Sequence, residues 1–300
     1  MARRTTKELR EHNSRQAKLA ALRQEEQRRK NRMRMTLAAI GAVLVVVIAL
    51  VAVGLTRGGH NSGPAGATTA SGALTRDLST IPAATYNTAG APAQSPAIPL
   101  GGAPRLSSGG KPDVVYVGAE YCPFCAAERW ALVASLARFG TFSHLGETRS
   151  SSTDTDPNTP TLSFEGAKFS SRYVTFRGFE IADRADQPLD ALPARVNQLI
   201  NKYGREPYVA GASRSQPPPI PFIDFGGRFI VDGASYDPAL LQGMTHQQVA
   251  DQIRQANSKV GQAVLKTANA MTAMICAQTD NQPTRVCTST AVEAAKTGLQ

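Results

Sequence analysis

Between Asp113 and Phe139 a short apolar run, two cysteines separated by Pro-Phe, and a long apolar stretch succeed one another, and no other part of the chain restricts the fold as much. Asp113-Val-Val-Tyr-Val-Gly-Ala119 is short, apolar and β-prone, and reads as a buried strand. After Glu120-Tyr121-Cys122-Pro123-Phe124-Cys125, apolar residues recur at Trp130, Val133, Leu136 and Ala137, the spacing of a helix, which Gly140 closes. Pro123 suits the first turn of that helix, where its missing N–H costs nothing and its φ is already helical. Cys122 is thereby held against unsatisfied amides and the positive end of the helix dipole, which favour a thiolate over a thiol. A depressed thiol pKa gives more nucleophile at neutral pH and a better leaving group. Cys125, one turn further on, is expected to lie deeper and to act as the resolving thiol, and Glu120 would oppose the thiolate if it came close.

Strand, C-x-x-C, helix is the thioredoxin-type redox arrangement. Two other readings compete with it. Half of a zinc site is the first, but the remaining cysteines lie more than 150 residues on, and neither His144 nor His246 has a partner at ligand spacing. The second is a structural disulfide between Cys122 and Cys125 in a domain that only binds. No metal and no cofactor is expected.

The charge is concentrated at one end. Residues 1–34 hold 12 Lys+Arg and 4 Asp+Glu, a net +8 of the formal +10. The remainder, at +2, has no basic excess with which to neutralise a run of phosphates, so a nucleic-acid-binding globular domain is not expected. Residues 35–55 are uncharged, and 12 of them are Leu, Ile or Val. As a helix they would span roughly 31 Å, one bilayer core. Arg28, Arg29, Lys30, Arg32 and Arg34 crowd the N-terminal flank, which orients the N-terminus to the cytoplasm. The run is too long for a cleavable signal peptide, and an uncleaved anchor is expected over 35–56. The domain order is then a basic cytoplasmic tail at 1–34, the transmembrane helix, a Gly/Ser/Ala/Pro-rich linker at 57–110, an extracytoplasmic domain at 111–290 and a short tail at 291–300. Within the linker, Leu74, Leu78 and Ile81 at helical spacing, with Tyr86 after Pro82, suggest an ordered segment over 74–90.

Beyond the first helix, Thr141–Ser150 suggests a second strand, and Thr161–Glu165 with Arg172–Ile181 alternate as a hairpin does. Leu189–Tyr203 resumes helical spacing. Ile220-Pro-Phe-Ile-Asp-Phe225, Gly226-Gly227 and Arg228-Phe-Ile-Val231 read as a strand hairpin behind a proline-rich approach. In thioredoxin folds a cis-proline precedes such a strand beside the C-x-x-C, and its neighbouring backbone pairs with an extended substrate; Pro221 is the candidate, with Ile220 as the backbone partner and Pro219 as the fallback. Thr245 and Gln248 form a capping box, and Ser258 caps the helix that ends at Cys276. A bridge from Cys276 to Cys287 would close a loop of about a dozen residues and stabilise by about 3 kcal/mol in the chain-entropy model. A structural staple and a second redox pair relaying electrons to Cys122 and Cys125 both remain open.

Tyr116-Val-Gly-Ala-Glu-Tyr-Cys-Pro-Phe-Cys-Ala-Ala-Glu-Arg-Trp-Ala-Leu132, Ser150-Ser-Ser-Thr-Asp154, Ile220-Pro-Phe-Ile-Asp-Phe225, Gly233-Ala-Ser-Tyr-Asp-Pro238 and Ile275-Cys276 resemble, in order, a thioredoxin-like family of membrane-anchored proteins still labelled a domain of unknown function. The resemblance covers roughly residues 74–290. It implies a thioredoxin-type sheet and an exported redox-active cysteine pair, and Cys276 and Cys287 look like the family's C-terminal feature; with the strand and helix patterning, the expected fold is α/β, a thioredoxin-like sheet flanked by helices and enlarged by a β-hairpin insertion between Thr161 and Ile181. It supplies no substrate. The expected activity is thiol–disulfide exchange on protein thiols at the outer face of the cell membrane, with Cys122 and Cys125 catalytic, Ile220 and Pro221 holding the partner, and a membrane redox protein as electron partner. The rival is a non-catalytic module binding an envelope protein through the same groove.

Overall fold

The structure, a computed structural model, describes residues 66–299. The expected basic tail and transmembrane helix lie outside the described residues, and among the described residues no helix is long and apolar enough to cross a membrane. The described chain is mixed α/β. Its helices are α1 (Gly72–Ser79), α2 (Ala83–Ala89), α3 (Pro123–Leu136), α4 (Ala194–Tyr203), α5 (His246–Ile253), α6 (Lys259–Cys276), a single turn at Thr284–Cys287, and α7 (Thr290–Lys296). Strands of four or more residues are β1 (Lys111–Gly118), β2 (Gly140–Ser143), β3 (Gly146–Arg149), β4 (Pro160–Ser163), β5 (Lys168–Ser171), β6 (Thr175–Glu180), β7 (Phe222–Phe225) and β8 (Phe229–Asp232).

β1 is the centre of the main sheet. It pairs antiparallel with β7, which continues through the Gly226-Gly227 turn into β8, and parallel with β6 on a register that sets Asp113 against Thr175 and Gly118 against Glu180. Both faces of β1 are covered, which is why it reads as a continuous apolar run. Val114 and Tyr116 face one core with α3, α6 and the short N-terminal helices; Val115 and Val117 face a second, smaller core with Val196, Ile200 and Tyr203 of α4. Leu74, Leu78, Ile81 and Tyr86 are buried in the larger core, where the Tyr86 hydroxyl donates to the Ala134 carbonyl at 2.8 Å.

Several expectations about organisation need correcting. No hairpin forms between Thr161 and Ile181: β4 pairs with β3, β5 pairs with β2, and β6 joins β1. Alternation marks each strand but carries no information on its partner, and here every partner lies outside the segment: β3 just before it for β4, β2 for β5 and β1 for β6. The single strand expected over Thr141–Ser150 divides into β2 and β3 at His144, whose φ of 57° no strand accommodates. The C-terminal residues are not a tail, because α7 buries Ala291, Val292 and Ala295. The helix expected from Leu189 begins at Ala194, after Pro193; residues preceding a proline disfavour helical backbone.

α3 is apolar on all sides and only Phe124 is exposed, as befits a helix enclosed by other elements. Two charges nevertheless lie within it. The Arg129 guanidinium is fully buried: Nε donates to Glu180 Oε1 at 2.8 Å, Nη2 to Glu180 Oε2 at 2.5 Å and to the Ala119 carbonyl at 2.7 Å, and Nη1 to Thr161 Oγ1 at 3.4 Å. Glu180 Oε1 also accepts the Phe164 amide at 3.1 Å. One side chain thus joins the helix, the end of β6, β4 and the loop that precedes the cysteines. Removing one partner from a buried pair strands the other charge at a cost of about 3–5 kcal/mol. Glu180→Ala is expected to lower unfolding stability by that amount in urea titration, and Arg129→Met/Glu180→Leu to recover part of it; a loss below about 1 kcal/mol for Glu180→Ala, the range of an exposed pair, would contradict this description.

Candidate active site

β1 and α3 meet at the cysteines. A Cβ on Gly118 would overlap the buried Tyr116 hydroxyl, so glycine is required where the strand turns into the loop. Hydrogen bonds from the Ile181 amide to the Gly118 carbonyl at 2.8 Å and from the Glu120 amide to the Ala182 carbonyl at 2.9 Å tie this loop to the residues just past β6. Cys122 is the N-cap of α3 and Pro123 its first residue. The Cys122 sulfur accepts the Cys125 amide at 3.2 Å, so the thiol occupies the role that a serine or aspartate oxygen usually plays at a helix start.

The two cysteines are free thiols and differ in environment. Cys122 is 6% exposed and Cys125 is fully buried. The Cys122 thiol is pushed below its ordinary value, first by the Cys125 thiol hydrogen-bonded to its sulfur, then by the Cys125 and Phe124 amides and the Arg129 charge, against the cost of burial. Burial, followed by the neighbouring Cys122, pushes the Cys125 thiol well above its ordinary value. Ala119, Ala182, Tyr121, Ile181 and Ile220 enclose the sulfurs in an apolar collar, while Phe124, between the cysteines, is 44% exposed.

Ile220 and Pro221 are brought to the cysteines from 95 residues and more along the chain: the Ile220–Pro221 peptide is cis, and the Cys122 thiol donates to the Ile220 carbonyl at 3.9 Å. The Pro221 carbonyl accepts the Gly233 amide at 2.9 Å, fixing this turn to the end of β8. Cys276 and Cys287 are joined by a disulfide between the end of α6 and the single turn at Thr284–Cys287. Glu120, two residues before Cys122, is fully buried. Its carboxyl accepts the Ser163 hydroxyl at 2.6 Å, its second oxygen has no partner, and burial raises its pKa. Among the described residues no group of three or more His, Cys, Asp or Glu side chains is placed to hold a metal ion.

Arg129, Glu180 and Glu128 are not singled out by sequence patterning, although the dipeptide Glu128-Arg129 inside an otherwise apolar helix is a signal that buried partners must exist. Glu128 Oε2 accepts the Ser235 amide at 2.9 Å and Oε1 the Ser235 hydroxyl at 2.7 Å, and the Tyr236 hydroxyl donates to the Ala127 carbonyl. These bonds hold the segment after β8 against the helix that carries the cysteines.

The sequence profile of the family described as "Domain of unknown function (DUF929)" matches residues 103–277, which takes in β1, the cysteine pair, α3, Ile220, Pro221 and Cys276. No curated protein and no solved structure matches the chain.

Glu128 has no cation opposite it, and burial raises its carboxyl to about 7. Unfolded, it ionises near the ordinary glutamate value of about 4.3. Its contribution to stability is therefore complete below the unfolded value and declines as pH rises toward the folded one, by about 1.4 kcal/mol per pH unit, because the folded state binds the proton more tightly. Asp224, raised by burial to about 7, acts with the same sign. Glu128→Gln is expected to remove one such share of the slope in stability measured across this window; an unchanged slope would contradict the assignment.

Proposed function

The chain belongs to the DUF929 family, a domain of unknown function, and from that premise we propose that it is a membrane-anchored, extracytoplasmic thiol–disulfide oxidoreductase of thioredoxin-like type. The observation that carries this reading is the Cys122 sulfur capping α3 and accepting the Cys125 amide at 3.2 Å, with a buried cysteine one turn behind it. In exchange, the Cys122 thiolate attacks one sulfur of a partner disulfide; a Cys122–partner disulfide forms and the other partner sulfur leaves as a thiolate. Cys125, on losing its proton, attacks the Cys122 sulfur and releases the second partner thiolate, so the partner is reduced by an electron pair and Cys122–Cys125 becomes the disulfide. The reverse sequence oxidises a partner dithiol. Which direction runs is set by the reduction potential of the pair against its surroundings.

The remaining geometry agrees with this role. The Ile220 carbonyl beside Cys122 gives an extended partner a backbone acceptor next to the reacting sulfur, and exposed Phe124 gives it an apolar contact. A parallel β1–β6 pair with α3 on one face and α4 on the other supports the thioredoxin-like reading of the fold. The Cys276–Cys287 disulfide suits an oxidising compartment, which is where the basic flank and the apolar run at 35–56 would deliver the domain.

Cys125→Ala in the full chain is expected to accumulate partner proteins covalently held on Cys122, visible as reducible high-mass bands on non-reducing gels and absent from Cys122→Ala/Cys125→Ala. A gel without such bands would overturn exchange and favour a module that binds through the same groove without chemistry.

A further inference from the structure

On the larger-core side, away from the cysteines, three arginines from three elements converge on an open cleft of about 680 Å³: Arg138 just past α3, Arg172 after β5, and Arg285 in the single turn that ends at Cys287. Among the described residues no aspartate or glutamate lines it. Lys111 adds a fourth cation at the rim, donating from Nζ to the carbonyl of Ser171, a lining residue, at 2.7 Å.

Arg138 is unlike a solvated surface arginine. It is largely withdrawn from water, and burial lowers its pKa. The ion pairs among the described residues are Arg129–Glu180, Arg177–Asp113 and Lys296–Glu293, so Arg138 has no carboxylate partner there. Neutral groups hold it instead: Nη1 donates to Asn269 Oδ1 at 3.0 Å and to Thr272 Oγ1 at 3.3 Å, Nη2 to Ser289 Oγ at 3.2 Å, and the guanidinium lies over the Tyr86 ring, 4.4 Å from its centroid. The carbonyls at the end of α3 offset part of its charge. A half-buried guanidinium held by neutral groups, with two more cations lining the same cleft, is an arrangement that an anion stabilises.

The geometry points to a binding site for a phosphate monoester, its terminal oxygens shared among Arg138, Arg172 and Arg285. Guanidinium forks fit carboxylate and phosphate alike, but three forks need the three terminal oxygens that a phosphate monoester has and a carboxylate lacks. A second cleft of about 350 Å³, lined also by Ser79, Ile81, Ala83 and Tyr86, shares Arg138 and Arg285 with the first and gives the ester's organic part room beside the arginines. A soluble phosphate ester and a phosphatidic acid headgroup carry the same chemistry. The Cys276–Cys287 disulfide holds the turn that bears Arg285 in position.

The test uses the full chain in nanodiscs of neutral phosphatidylcholine, wild type against Arg172→Gln/Arg285→Gln; both arginines are exposed, so the fold tolerates their loss. Glycerol 3-phosphate is titrated by calorimetry, and nanodiscs containing phosphatidic acid are compared by the protection of Arg172 and Arg285 from a guanidinium-modifying reagent. The basic N-terminal arm is common to both chains, so the calorimetric difference between them reports the cleft, and in the lipid measurement protection of Arg172 and Arg285 is compared with that of exposed Arg214 in the same wild-type chain. Binding of glycerol 3-phosphate that weakens about a hundredfold in the variant, about tenfold per arginine, supports the proposal with a soluble ester as ligand. Protection by phosphatidic acid alone supports it with a lipid as ligand. Equal calorimetric behaviour of the two chains without lipid protection, or citrate bound more tightly than glycerol 3-phosphate, would overturn it.

Discussion

The Arg129 guanidinium is the interaction on which the cysteine region depends. It is fully buried, its charge is met by Glu180 at 2.5 Å, and its remaining N–H groups are spent on Ala119 and Thr161. Through it the helix bearing both cysteines is locked to the strand beside β1 and to the backbone just ahead of Cys122. Its position also places a fixed positive charge behind the two sulfurs, where the dielectric is low and a charge acts strongly. The pair is therefore structural and electrostatic at once, and a hydrophobic replacement that preserved the packing would still remove the field.

That field lowers both thiols alike, and what separates two identical side chains three residues apart is burial and the hydrogen bond between them. Cys122 receives hydrogen bonds at a helix start and stands at the edge of an apolar collar; Cys125 is enclosed and gives its proton toward Cys122. Ionisation of one raises the cost of ionising the other, so the pair holds one thiol of lowered and one of raised pKa, the division that the proposed exchange requires. The Glu120 carboxyl, two residues before Cys122, is turned to Ser163, and burial favours its neutral form.

Local chemistry was legible in the sequence. Pro123 after Cys122, the Thr245–Gln248 capping box and the Ser258 cap on α6 are each dictated by a few adjacent residues, and each is found at its position. Gly226-Gly227 likewise joins β7 to β8, with φ near 61° and 69°. What sequence patterning does not carry is partnership between distant elements. The strands between Thr161 and Ile181 alternate as a hairpin would, yet each pairs elsewhere, since alternation records which face is covered and not by what. The buried charges show the same limit: Glu128-Arg129 inside an apolar helix signals that partners exist, and only Ser235 and β6, packed against that helix, reveal which they are. The three-arginine cleft is assembled from Arg138, Arg172 and Arg285, which no motif links.

The most direct test of the account is a pH titration of the reduced full chain monitored by thiolate ultraviolet absorbance, with Cys122→Ala and Cys125→Ala as references. The account predicts one thiol ionising below the ordinary cysteine value of about 8.5, absent from Cys122→Ala, and a second appearing only at higher pH. A first ionisation at or above the ordinary value, or one that persists in Cys122→Ala, would contradict it.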